Sequence, residues 1–243
     1  MKANIQAHFD QQRRRAGTRT LKGLLNQSEG LTVSRRRIGR LMNDLKIKCK
    51  TKKKFKATTQ SKHKLPVASN LLDREFEVDH PDRVYVGDIT YVWTNEGWMY
   101  LSVWIDLFSR AVVGWSMGSR LKAHLATDAL NMAIQRRGTQ PGLMVHSDQG
   151  VQYASTEFQS ILEDHQFVCS MSRKGNCWDN SVAESFFGSL KKELIHHCRF
   201  VTREEAGLAI FDYIEIFYNR QRAHSFNNYQ SPFGYEEAYR KVT

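Results

Sequence analysis

Val84–Val92 reads VYVGDITYV, and the alternation along it decides the fold. In a strand every second side chain points the same way. Val84, Val86, Asp88, Thr90 and Val92 therefore share one face, and Tyr85, Ile89 and Tyr91 the other. Two more runs rich in β-branched and aromatic residues follow after short polar turns, Trp98–Asp106 (WMYLSVWID) and Arg110–Met117 (RAVVGWSM). Together they predict a three-stranded antiparallel meander. Asp88 is the anomaly in it, because a charge on such a face is costly unless it is paired or holds a cation.

Beyond the meander the periodicity changes. A helix is expected over Ala123–Arg136, a short strand over Leu143–Ser147, a helix over Thr156–His165 and a strand over Phe167–Met171. After the loop SRKGNCWDN a helix should run from Ser181 to Ile195. Thr202 and Glu205 then form a capping box for a last long helix reaching Tyr218. The order β-β-β-α-β-α-β-α-α predicts an α/β domain, a mixed five-stranded sheet flanked by helices.

A second carboxylate ends the fourth strand. The apolar run Leu143-Met144-Val145 stops at His146-Ser147-Asp148-Gln149-Gly150. Asp-Gln-Gly is ordinary turn chemistry, or else Asp148 stands at the mouth of a site. Strands one and four are natural neighbours in this topology, so Asp88 and Asp148 could meet at one sheet edge. Glu184 falls in the first turn of the later helix, where the dipole favours a negative charge. Three carboxylates from two strands and a helix make an oxygen-only site. Such a site suits Mg²⁺ or Mn²⁺, and two ions there can serve both oxygens of an in-line displacement at phosphorus.

Charge divides the chain. Residues 1–64 hold 19 Lys and Arg against three acids, while residues 65–243 hold 17 basic and 22 acidic residues, within a net charge of +11. A basic arm on a mildly acidic body suggests a nucleic-acid-binding segment attached to a unit with another task. Apolar spacing over Thr20–Leu25 and Ile38–Leu45, a connector containing Gly30, and Ser34 placed to cap a helix opening on Arg35-Arg36-Arg37 read as a helix-turn-helix. The expected division is a helix-turn-helix domain at 1–47, a basic extended linker at 48–80 and a catalytic domain with a C-terminal helical extension at 81–243.

Arg35, Arg36, Arg37 and Arg40 of the arm, with Lys52, Lys53 and Lys54 of the linker, are candidate DNA contacts. The four cysteines have no CxxC spacing and read as free thiols. No apolar stretch is long enough for a membrane span, and no signal peptide is legible. A cytoplasmic, nucleoid-associated protein is the expectation.

Four ordered motifs narrow the function: Asp88-Ile89-Thr90-Tyr91, His146-Ser147-Asp148-Gln149-Gly150, Gly175-Asn176-Cys177-Trp178-Asp179-Asn180 through Glu184, and Tyr218-Asn219-x-x-Arg222-x-His224-Ser225 with Tyr229, Ser231 and Pro232. Thirty-five residues separate Asp148 from Glu184. In these motifs, over nearly its whole length, the sequence resembles the catalytic subunit of bacterial insertion-sequence transposases with a retroviral-integrase-like DDE core. The resemblance implies an RNase H-like fold, Asp88, Asp148 and Glu184 as a metal-binding acidic triad, and DNA strand cleavage and transfer. It also implies terminal-repeat and target DNA as partners, a homo-oligomer on paired ends, and an upstream-frame DNA-binding product. The Tyr-Gly of such proteins appears here as Ala16-Gly17. A nuclease without strand transfer, or a DNA-binding regulator of transposition, are the alternatives.

Around the triad other residues have two readings each. His146 could touch a phosphate or support the ligands from behind. Asp106 reads as a turn or supporting acid, and Asp179 and Asn180 as caps of the Glu184 helix. Trp178 could stack on an unpaired base. Lys191 and Lys192, two helical turns beyond Glu184, could follow the DNA backbone. Arg222 and His224 could grip a phosphate or fasten the C-terminal loop.

Overall fold

In the computed structural model, which describes residues 1–50, 65–138 and 140–242, the strands are β1 (Val84–Thr94), β2 (Gly97–Asp106), β3 (Val112–Gly118), β4 (Met144–Ser147) and β5 (Val168–Met171). They join in the order β3-β2-β1-β4-β5. The β1–β2 and β2–β3 pairs are antiparallel, and β4 and β5 are added parallel to β1. This is the RNase H-like mixed sheet. The expected β3 began at Arg110, but that residue adopts a positive φ in the β2–β3 turn, and the strand starts at Val112.

Two glycines set the packing of the sheet. Gly87 lies opposite Trp104, and a Cβ there would come within 2.4 Å of the indole. Its absence lets Trp104 lie across β1, stacked on Phe158 and edge-on to Tyr153. At Gly114 of β3 a Cβ would meet the Ala129 carbonyl at 2.1 Å, so α4 (Ala123–Arg137) packs closely on β3. The helix α5 (Thr156–Asp164) connects β4 to β5. Pairing of β4 with β1 stops at Val86↔His146. From Gly87 the β4 side of β1 has no strand partner until the isolated parallel bridge Thr94↔Phe200, and Asp88 is the second residue along that stretch.

The chain divides into two compact units. The one carrying the sheet comprises Phe55–Lys191 and Cys198–Ile210. The other comprises Met1–Lys54, Lys192–His197 and Phe211–Thr243. Residues 211–243, expected as an extension of the catalytic domain, are thus grouped with the N-terminal helices.

That unit opens with α1 (Lys2–Gln11), which has no counterpart among the helices expected from the sequence. It offers only Ile5 and Phe9 to a core, too few for a clear period. In α2 (Thr18–Glu29) and α3 (Arg35–Asp44), Leu21, Leu25, Ile38 and Met42 close the same core. Gly30 ends α2 in a left-handed cap, and the Ser34 hydroxyl accepts the Arg37 N–H, as its spacing predicts. The expected long helix is α7 (Arg203–Phe211), which widens into a π-helical stretch over Asp212–Tyr218. Tyr213, Ile214, Phe217 and Tyr218 are all buried along this stretch. A final helix, α8 (Pro232–Arg240), starts with Ser231 as its cap and proline in its first turn. A capping serine followed by proline is a helix-start signal in its own right, beyond its place in the Tyr218–Pro232 motif.

Candidate active site

Asp88 and Asp148 line one cavity of about 100 Å³, with Ile89, Tyr91, Tyr100, Gly150 and Tyr153 around them. The cavity wraps the open edge of β1, taking Asp88 from one face of the strand and Ile89 and Tyr91 from the other. Asp88 Oδ1 accepts its neighbour's Ile89 N–H at 2.8 Å, and Asp148 Oδ1 accepts the Gly150 N–H at 2.9 Å. The turn chemistry of Asp-Gln-Gly and the site reading of Asp148 therefore hold together. The turn fixes the carboxylate at the cavity.

Burial, and then the adjacent charge of Asp148, push the Asp88 carboxyl well above the usual carboxylate range. Glu184 adds to the repulsion, against the Ile89 N–H. Glu184, in the first turn of α6 (Ser181–Glu193), is also raised, by burial. An acidic cluster that resists its own ionisation is electrostatically suited to a cation. Two buried hydroxyls, Tyr153 OH and Ser102 Oγ, face each other without a hydrogen bond of ordinary geometry. Of the two, Tyr153 lines the cavity. The carboxylates lining the cavity, Asp88 and Asp148, are hard oxygen donors of the kind that would suit Mg²⁺ or Mn²⁺, and Glu184 is not among the lining residues. Among the described residues no three His, Cys, Asp or Glu side chains stand in a finished ligand arrangement.

The approach of α6 to the sheet has a physical cause that no local sequence pattern announces. Asn180, expected as a cap, is buried, and its side-chain amide donates to the Gly87 carbonyl at 3.1 Å. It occupies the β1 edge just where β4 ends. Asp179, also expected as a cap, is a buried carboxylate held by Arg173 through two side-chain bonds and the backbone N–H, and by Arg74. Arg173 keeps it well below the usual carboxylate range. Arg74 lies too far from it in sequence for a local pattern to reveal the pairing, whereas Arg173 is six residues away in the same loop. Asp106 is the turn acid expected, accepting the Asp82 and Phe108 N–H groups.

His146 does not reach a phosphate. It is fully buried, with Nδ1 bonded to the Ser170 hydroxyl and Nε2 to that of Ser172. It ties β4 to β5 and its following residue. Burial lowers its pKa to about 4. The unfolded chain takes up this proton near pH 6.5, so protonation favours unfolding as pH falls from 6.5 to 4. The associated stability is complete above pH 6.5, and about 3 kcal/mol of it is lost by pH 4. His146→Gln should flatten that part of the acid limb in urea unfolding followed from pH 7 to pH 4.5. Parallel limbs for the two proteins would mean that the folded imidazole already carries the proton.

The remaining candidates divide clearly. Arg35, Arg36, Arg37 and Arg40 are exposed on α3, Trp178 is 69% exposed, and Lys192 is exposed. Lys191 is half-buried, its ammonium 5.5 Å from the centre of the Tyr91 ring. Arg222 grips Glu193 with Nη2 at 2.8 Å from one oxygen and Nε at 3.0 Å from the other. The fastening reading holds for it. Lys52, Lys53 and Lys54 lie outside the described residues. Among the described residues no helix is long and apolar enough to cross a membrane.

A mixed RNase H-like sheet with two aspartates at its open edge and a glutamate on the helix after β5 is the framework of metal-dependent polynucleotidyl transferases. Family comparison agrees. Residues 78–177 and 184–239 match two models described as integrase core domain, and residues 1–55 match an HTH-like domain. The chain is 44% identical to the insertion element IS600 uncharacterized 31 kDa protein of Shigella sonnei, over all of this chain and 89% of that one. It is 42% identical to transposase InsF for insertion sequence IS3A of Escherichia coli, over 96% of this chain and 80% of that one. A chain from the simian T-cell lymphotropic virus intasome in complex with PP2A regulatory subunit B56 gamma shares the fold. Its TM-score is 0.54 at 17% identity, covering 96% of this chain and 74% of that chain. The protein belongs to the insertion-sequence transposases of the IS3 type, enzymes of the DDE class.

Proposed function

We propose that Asp88, Asp148 and Glu184 are the catalytic acids with which this transposase cuts the ends of its insertion sequence and joins them to target DNA. The observation that carries this reading is the pair of aspartates in one cavity at the open edge of β1, with burial and mutual repulsion raising Asp88. Divalent cations, two Mg²⁺ or Mn²⁺ ions held by the three carboxylates, would ionise the attacking water or DNA hydroxyl and neutralise the leaving oxygen. The chain's own residues prepare that chemistry. The Ile89 and Gly150 N–H groups fix one oxygen of each aspartate, and Asn180 sets the start of the Glu184 helix against β1. Tyr153 supplies a buried hydroxyl at the cavity wall.

Arg35, Arg36, Arg37 and Arg40 bind phosphates at the terminal repeats, with Lys52, Lys53 and Lys54 following along the linker. Lys191 and Lys192 guide the backbone near the cut, and Trp178 stacks on an exposed base. The protein acts as a homo-oligomer on paired ends, at the nucleoid, with an upstream-frame product contributing to end recognition.

The test is labelled terminal-repeat DNA incubated with the purified chain and Mg²⁺ or Mn²⁺. Nicking followed by joining is expected, and binding without cleavage would mean either that the upstream-frame product is required or that the protein regulates rather than cuts. Replacing Arg35, Arg36 and Arg37 together by alanine should weaken binding. The slope of log K against log salt should fall by about two to three, nearly one for each phosphate that is no longer neutralised. An unchanged slope would remove these arginines from the DNA interface.

A further inference from the structure

The cavity that holds Asp88 and Asp148, about 100 Å³ and partly open to solvent, is sized for a phosphate group rather than for a run of nucleotides. Nucleotides flanking the reacting phosphate must lie on its rim. Two rim residues, Tyr91 and Tyr100, are directly opposite one another on β1 and β2. Two residues further along the same face come Trp93 and Trp98, again directly opposite. The Tyr91 and Trp98 rings meet edge-on at 5.0 Å, and Trp98 meets Trp93 at 4.8 Å.

These rings are on the surface. Tyr91 is 37%, Trp98 44% and Trp93 57% exposed. An aromatic run of this size, kept open to water, marks a binding surface. From Asp88 to Trp93 the strand advances about 16 Å, the reach of a few nucleotides.

We propose that Tyr91, Trp98 and Trp93 form a stacking platform for unpaired nucleotides of the DNA strand beside the phosphate in the Asp88–Asp148 cavity. The proposal rests on the reading of that cavity as the cleavage site. Bases of any sequence present a flat π-face that such rings can stack against. The ammonium of Lys191 over Tyr91 puts a positive charge at the inner end of the run, next to the cavity, as a nucleic-acid backbone requires. An apolar protein partner would gain nothing from that charge, so continuity with the cavity and the cation together favour a single strand. Arg203 fastens the backbone of the hairpin, donating from Nε to the Trp98 carbonyl, from Nη2 to the Glu96 carbonyl and from its backbone N–H to the Glu96 carboxylate. These bonds hold the hairpin without involving either indole.

The test uses the full chain and two terminal-repeat duplexes, one fully paired and one with a short unpaired flank carrying 2-aminopurine beside the cut. All binding is measured in the Asp148→Asn background, so that it is scored without cleavage and stands whether or not the cavity cuts. Trp93→Ala with Trp98→Ala should weaken binding of the flanked duplex roughly tenfold and relieve quenching of the 2-aminopurine. Affinity for the paired duplex should stay within about twofold. Trp93→Phe with Trp98→Phe should retain most of the flank preference, which separates lost stacking from lost folding. Equal weakening on both duplexes, or no weakening on either, would overturn the proposal. So would intact flank binding with a shift to smaller assemblies in sedimentation, because the surface would then join copies of the chain.

Discussion

Replacing Asp88 by asparagine is expected to abolish strand cleavage while leaving the protein as stable as before, or more so, in metal-free buffer. Both halves follow from the same electrostatics. In the folded protein Asp88 is desolvated and faces Asp148 and Glu184, so its charge is unfavourable there until a cation arrives. A carboxamide removes the repulsion and keeps the shape, with one oxygen still able to accept the Ile89 N–H. It also removes the ligand charge, for which a loss of about 10²–10³-fold in rate is the scale set by deletion of a single preorganised electrostatic interaction. Adding Mg²⁺ or Mn²⁺ should raise the melting temperature of the natural protein, because a ligand that binds only the folded state stabilises it. The variant should not respond. A variant several kcal/mol less stable without metal would show that Asp88 serves the fold rather than a cation.

The second large effect is on stability. Arg222 holds both oxygens of Glu193, and the Tyr213 hydroxyl donates to the same carboxylate at 2.9 Å. The two charged side chains are only 20% and 10% exposed. Removing one partner of such a pair strands the other charge away from water, which costs about 3–5 kcal/mol. Glu193→Ala should lower the unfolding free energy by that amount in urea titrations. Glu193→Met combined with Arg222→Met should recover much of it, since apolar pairs of similar volume often replace buried ion pairs without loss. A Glu193→Ala protein within about 0.5 kcal/mol of the natural one would mean that solvent already screens the pair.

What the sequence made legible was whatever is written at short range. Alternation in VYVGDITYV assigned β1 and the face of Asp88, and the Ser34 cap set the start of α3. The meander followed by a parallel strand brought Asp88 and Asp148 to one edge. Features that depend on distant partners stayed hidden. Asn180 and Asp179 look like helix caps until Gly87 and Arg74 are brought beside them. His146 sits two residues from Asp148 on a common face, and only the serines on β5 and just after it reveal that both ring nitrogens are engaged. The C-terminal residues read as an appendage of the catalytic domain because they follow it in the chain. The Glu193–Arg222 pair joins the segments 192–197 and 211–243, which fall in one compact unit although the chain order sets them apart. The π-helical turns over Asp212–Tyr218 leave no period that distinguishes them from an ordinary helix.

The most direct measurement is a single-turnover assay of the purified chain and its Asp148→Asn variant on DNA carrying the element's own terminal repeats, with Mg²⁺ and with chelator. Metal-dependent nicking and joining by the natural chain, with undiminished DNA binding but no product from the variant, is the predicted result. Product from the variant, or cleavage in chelator, would contradict the assignment of the β1–β4 edge as the catalytic centre.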